Sequence, residues 1–177
     1  GTAMRFLTAY YSSFENGEIV LKGSKRMYER PIFPLVNCLR SIGADITYLE
    51  RDGFPPIKII GKKLKSKRVQ ISSNVSSQFV SAILLVAPKL IDGLEIELKG
   101  EQISKPYIEM TLSLLDNLGI KTSFKKKLIT IENTNKVQEK EISVESDWSS
   151  ASYWYSIVAL SEVAEVKLNN FFKDSIQ

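Results

Sequence analysis

At 177 residues, with 44% apolar and 25% charged side chains, nine glycines and six prolines, the chain has the composition of an ordinary globular protein and not of a disordered or fibrous one. Its net charge of +4 is gathered partly in two basic runs, 62–68 and 125–127; neither is interleaved with aromatics, so both read as solvated turns and no nucleic-acid partner is expected. There is no histidine, which excludes imidazole-based zinc sites and Ser-His-Asp or Cys-His catalysis, and leaves Arg, Lys, Asp, Glu, Ser and Tyr for any chemistry.

In chain order, Gly1-Thr2 opens a helix that carries Arg5 in its first turn and Phe6 amid small and apolar neighbours. Leu21-Lys22-Gly23 and Arg30-Pro31 follow, then a helix whose stripe is Ile32, Leu35, Val36, Leu39 and Ile42, with Pro31 expected in its first turn and Gly43 at its end. Cys38 lies within that apolar pattern as a buried thiol, and as the single cysteine it forms no internal disulfide. Strand-like pieces at 46–49 and 57–60 complete the unit.

The pattern then recurs. Ser76-Ser77-Gln78 starts a helix carrying Phe79, and Leu98-Lys99-Gly100, Lys105-Pro106, a stripe of Ile108, Leu112, Leu115 and Leu118, Gly119, and strand-like pieces at 122–124 and 128–131 repeat the first unit at an offset of about 76 residues. The longest apolar run, Ala82 to Pro88, is far short of the ~20 residues a membrane span needs, so no membrane partner is expected and a cytoplasmic setting fits. A third helix of the same kind, around Tyr153, follows a cap formed by Glu145, Asp147 and the serines 149, 150 and 152, and a strand-like stretch lies at 163–168. This alternation predicts an α/β fold of repeated units with buried helices and mixed sheets. The pattern opens in a helix start and stops after a strand, so a piece of a longer protein is expected.

Three helix starts, at Gly1-Thr2, Ser76-Ser77-Gln78 and Ser104-Lys105-Pro106, offer free backbone N–H groups, a positive dipole end and short hydroxyls. Arg5 and Arg30 stand beside them, suited to planar contacts with a phosphate or carboxylate. Each feature alone is also an ordinary cap or a surface ion pair; together they point to a small multi-anionic ligand.

Gly1-Thr2-Ala3-Met4-Arg5, Glu29-Arg30-Pro31, Pro55-Pro56, Val75-Ser76-Ser77-Gln78-Phe79, Ser104-Lys105-Pro106-Tyr107-Ile108 and Ser149-Ser150-Ala151-Ser152-Tyr153 occur in the order and spacing of EPSP synthases, and the resemblance spans the whole chain. The related UDP-N-acetylglucosamine carboxyvinyltransferases share the repeat, but the Ser-Ser-Gln and Ser-Lys-Pro-Tyr motifs favour the first family; a non-enzymatic repeat domain is the remaining alternative. The resemblance implies domains built from three βαβαββ units, with residues 1–144 forming two-thirds of one domain and 145–177 the start of a second. It implies transfer of the enolpyruvyl group of phosphoenolpyruvate to the 5-hydroxyl of shikimate 3-phosphate, with no metal or organic cofactor and a monomeric parent. By position, Ser76, Ser77 and Ser104 resemble hydroxyls that grip shikimate 3-phosphate, and Gln78 an amide shared by both substrates. Gly1 and Arg30 resemble phosphoenolpyruvate contacts, Tyr107 a residue lining the ring, and Thr2, Arg5 and Asp147 supports of the cleft. The proton-transfer groups would lie outside these residues, so no catalytic residue is assigned.

Overall fold

The computed structural model describes residues 1–65, 68–72, 76–100, 105–134, 137 and 139–177. They divide into two compact units, Gly1–Gln138 and Glu139–Gln177.

The first unit contains the repeat. Its first half runs α1 (Thr2–Ser12), β1 (Glu18–Leu21), the short α2 (Lys25–Tyr28), α3 (Phe33–Ser41), β2 (Asp45–Tyr48) and β3 (Ile57–Ile60). Its second half runs β4 (Arg68–Ser72), α4 (Ser77–Val86), β5 (Leu94–Lys99), α5 (Lys105–Asn117), β6 (Thr122–Lys125) and β7 (Leu128–Ile131), a complete βαβαββ order. The sheets show the same kinship: the first is ordered β1-β3-β2 and the second β4-β5-β7-β6, so β1, β2 and β3 stand where β5, β6 and β7 stand. All pairings are antiparallel except β4 with β5. That parallel pair needs a long crossover, which α4 supplies.

Strand sequences sort their faces by period two. Ile57 and Ile59 in β3, Val69 and Ile71 in β4, Leu94, Ile96 and Leu98 in β5, and Ile129 and Ile131 in β7 all point into the core, while the residues between them face outward. Helix α4 reads apolar almost all round, and seven of its ten residues are buried, because α1, α3 and α5 all pack against it. Helix α3 also reaches β4, which ties the first half of the unit to the second sheet.

The stripe of α3 is buried as its periodicity predicts, from Ile32 to Ile42, and so are Ile108, Leu112 and Leu115 of α5. Gly43 and Gly119 end these helices at φ 102 and 78, with open space where a Cβ would stand, so the backbone conformation and not crowding selects glycine. Pro31, however, precedes α3 and is not in its first turn. The helix begins at Phe33 with Pro34 in the first turn, because the N–H groups of Ile32 and Phe33 both donate to the Gly53 carbonyl, at 2.8 and 3.2 Å, and fix the start there. The run 125–127 is a turn as expected, with Lys125, Lys126 and Lys127 exposed between β6 and β7 and Lys126 at φ 57. The run 62–68 is not a simple solvated turn among the described residues: Lys62 pairs with Asp45 at 2.8 Å, Leu64 is buried in the core and Arg68 begins β4, while residues 66 and 67 lie outside the described residues.

The second unit is built on α6 (Trp148–Leu160). Asp147 caps it, accepting from the Ser149 N–H and the Ser150 hydroxyl, both at 2.8 Å. Glu145 does not join this cap. It accepts from Ser175 Oγ at 2.5 Å and the Phe172 N–H at 3.2 Å, gathering the last residues around itself. Residues 163–168 form no strand: a strand is defined by its ladder, and none runs beside them among the described residues. No helix among the described residues is long and apolar enough to cross a membrane.

Candidate functional site

The N-termini of α1 and α4 meet. Helix α1 has Gly1 as its N-cap, no acidic residue in its first turn, and Arg5 one turn in, where the Arg5 N–H donates to the Gly1 carbonyl at 3.3 Å. Helix α4 has Ser76 as its N-cap, whose hydroxyl accepts from the Gln78 N–H at 3.4 Å. Between the two, Gln78 Nε2 donates to Thr2 Oγ1 at 3.2 Å, and Arg5 Nη1 donates to Gln78 Oε1 and, at 3.4 Å, to Ser76 Oγ. Residues 71 to 76 positions apart thus form one network, and the helices start at the same end of the domain. Their positive dipole ends and free N–H groups are presented side by side.

Arg30 completes the cluster. A Cβ built on Gly1 would stand 3.0 Å from Arg30 Nη1, so the guanidinium lies against the glycine and uses the space its missing side chain leaves. A cleft of about 200 Å³ opens here, lined by Gly1, Ser24, Arg26, Met27 and Arg30. Among the described residues, none of Arg5, Arg26 or Arg30 has a carboxylate ion-pair partner. Burial first, and then the charge of Arg30, lower the Arg5 pKa, which records a partly dried Arg5 guanidinium with a second positive charge nearby. Arg5 also stacks over Phe79, its carbon Cζ 4.9 Å from the ring centroid, so its head group is held by the ring as well as by Gln78 and Ser76. Two helix starts, an oriented amide and three arginines with no carboxylate partner among the described residues are an arrangement chemically suited to an anion.

The structure therefore brings together Gly1, Thr2, Arg5, Arg30, Ser76 and Gln78. Ser77, the first residue of α4, is half-buried beside them and its hydroxyl has no hydrogen bond among the described residues. Ser104 lies outside the described residues. Tyr107 stands in the first turn of α5, 55% exposed, and no hydrogen bond joins its hydroxyl to Arg5, Ser76 or Gln78 among the described residues. Asp147 belongs to the second unit, where its carboxylate caps α6; the Ser150 hydroxyl and then the Ser149 N–H hold its pKa below the usual carboxylate value. Sequence alone does not single out Arg26 and Ser24. The available signal was the four-residue spacing of Arg26 and Arg30 beside a glycine.

Comparison with known proteins follows the same lines. The family model of EPSP synthase (3-phosphoshikimate 1-carboxyvinyltransferase) matches residues 1–177. A 3-phosphoshikimate 1-carboxyvinyltransferase of Bacteroides fragilis (strain YCH46) is 45% identical over 177 residues, covering 100% of this chain and 43% of that protein. One from Haemophilus influenzae (strain PittEE) is 42% identical over 181 aligned positions, covering 100% of this chain and 41% of that protein. Among solved structures, the EPSP synthase from Acinetobacter baumannii superposes with a TM-score of 0.71 at 26% identity, over 92% of this chain and 36% of that one. The chain thus spans less than half the length of these relatives.

Proposed function

The chain belongs to the EPSP synthase family, and from that premise we propose that it carries part of the substrate cleft of a 3-phosphoshikimate 1-carboxyvinyltransferase, with shikimate 3-phosphate and phosphoenolpyruvate as the small-molecule substrates. The observation that carries the proposal is the set of arginines at the paired helix starts that have no carboxylate partner among the described residues. Both proposed substrates are multiply charged anions, and the family's reaction joins them through a carbon–oxygen bond with loss of inorganic phosphate. Such a reaction requires several negative charges to be brought together and held, which is the work this cluster is suited to.

In this reading the hydroxyls of Ser76 and Ser77 and the N–H groups of the α4 start hold the phosphate of shikimate 3-phosphate, and Ser104 belongs with them. Gln78, oriented by Arg5 and Thr2, presents its amide between the two substrates. Gly1 and Arg30 receive phosphoenolpyruvate, Tyr107 lines the ring site, and Asp147 supports the cleft by fixing the start of α6. No residue of this chain is assigned proton transfer. Residues 1–144 form part of one domain and 145–177 the start of a second, a division supported by the separate packing of the two compact units. A cytoplasmic setting is part of the proposal, supported by a lone, buried cysteine.

The test is calorimetric titration of the chain with shikimate 3-phosphate and with UDP-N-acetylglucosamine, beside a phosphate-release assay with both substrates present. Weak, saturable binding of shikimate 3-phosphate without turnover is the expected result. Preferential binding of the UDP-sugar would transfer the assignment to the related carboxyvinyltransferases, and turnover by the homogeneous chain would refute the absence of proton-transfer groups.

A further inference from the structure

Two hydroxyls buried in the apolar contact between α4 and α5 serve no purpose in the site described so far. Ser81 and Thr111 are each 5% exposed, and their oxygens lie 2.9 Å apart, joining the two helices. Thr111 Oγ1 is also 2.9 Å from the Tyr107 carbonyl, one turn back on α5. Thr111 has a single hydroxyl proton. If it went to Ser81, the Ser81 proton would need another acceptor, and no other bond is made by that hydroxyl among the described residues. The consistent arrangement has Ser81 donating to Thr111 and Thr111 donating to the Tyr107 carbonyl, so that every hydroxyl proton is used.

The placement gives the relay a consequence for function. Ser81 lies one turn inside the start of α4, behind Ser77 and Gln78, and the relay ends on the backbone of Tyr107 in the first turn of α5. The surrounding apolar contacts are non-directional and leave the axial register of two helices softly determined, whereas a hydrogen bond between buried hydroxyls has one good geometry and strands two polar groups when it is broken. We infer that Ser81 and Thr111 are positioning residues that set the register of the α4 and α5 starts, so that both helix ends address one ligand. The inference rests on the proposed reading of those helix starts as a substrate cleft. Its local core, that the relay fixes the starts, stands apart from the identity of the ligand.

The experiment uses the whole chain with Ser81→Ala, Thr111→Val, the double variant and Thr111→Ser. Three readouts are taken: urea unfolding, the amide resonances of Gln78 and Tyr107 without ligand, and titration with shikimate 3-phosphate. The two single substitutions should be non-additive by about fivefold in the unfolding constant. Thr111→Val should move the Gln78 amide on the opposite helix, and Ser81→Ala the Tyr107 amide, while Thr111→Ser restores both. Affinity for shikimate 3-phosphate should fall about five- to tenfold in Thr111→Val and recover in Thr111→Ser. Additive stabilities with unmoved cross-helix amides would overturn the relay, and lost stability with unchanged affinity would overturn its positioning role. If the parent chain binds no shikimate 3-phosphate, the proposed function fails, while the ligand-free readouts still decide for or against the relay.

Discussion

Replacing Arg5 separates an arginine kept for a ligand from one kept for the fold. Among the described residues Arg5 has no carboxylate partner; it donates to Gln78 Oε1 and Ser76 Oγ, rests on Phe79, and is disfavoured by burial and by Arg30. The favourable contacts are worth about 1 kcal/mol from the ring and about 1 kcal/mol from hydrogen bonds that remain partly solvated, and the repulsion offsets part of that. Arg5→Ala should therefore change the unfolding free energy by no more than about 1 kcal/mol. Binding is different, because the substitution removes a positive charge from the anion site and the group that orients Gln78. A charge-assisted hydrogen bond contributes about 1.5–3 kcal/mol, so affinity for shikimate 3-phosphate should fall about 10- to 100-fold. Arg5→Lys keeps the charge but loses the planar fork and should retain about a tenth of the affinity. Calorimetric titration at low and high salt measures this, with the gap between Arg5→Ala and the parent narrowing as salt screens the charge. Unchanged affinity in Arg5→Ala, or a large loss of stability without ligand, would refute the reasoning.

Glycine substitutions distinguish two physical causes. Gly43→Ala places a side chain in open space at φ 102 and should cost about 1 kcal/mol of backbone strain, whereas Gly61→Ala puts a Cβ 1.8 Å from the Phe14 carbonyl oxygen and should leave little folded protein; thermal unfolding of both variants checks the contrast. Burial pushes the Cys38 thiol pKa up from 9.0 to about 12. A raised folded-state value means that the associated stability is fully present below the unfolded value and is lost as pH rises from about 9 towards 12. The thiol should accordingly react with an aromatic disulfide reagent at pH 8 many times more slowly in buffer than in urea, and equal rates would contradict its burial.

Much of this was legible because the chain states its pattern twice. The stripes Ile32 to Ile42 and Ile108 to Leu115 mark helix faces at a period that strands cannot satisfy, and Gly43 and Gly119 mark their ends by a conformation that other residues resist. The helix starts after Gly1 and Ser76 were readable in the sequence, and their meeting follows from the packing of α1 against α4. What sequence could not supply depends on partners distant in the chain. The Gly53 carbonyl, and not Pro31, fixes the start of α3. The stretch 163–168 has strand composition but no ladder among the described residues. Arg26 gains meaning only from the cleft it lines, and Ser81 and Thr111 read as small polar residues within apolar helices until the structure sets them 2.9 Å apart.

The central claim is that the paired starts of α1 and α4 form an anion site for shikimate 3-phosphate, and the most direct measurement is a titration of the isotopically labelled chain followed at every amide. The account predicts that the signals of Thr2, Arg5, Ser76, Ser77 and Gln78 move together along one saturation curve, with inorganic phosphate producing a weaker version of the same pattern. Saturable shifts confined to other surfaces, such as the groove between Phe33, Arg40 and Phe54, or no saturable shift at any concentration, would contradict it.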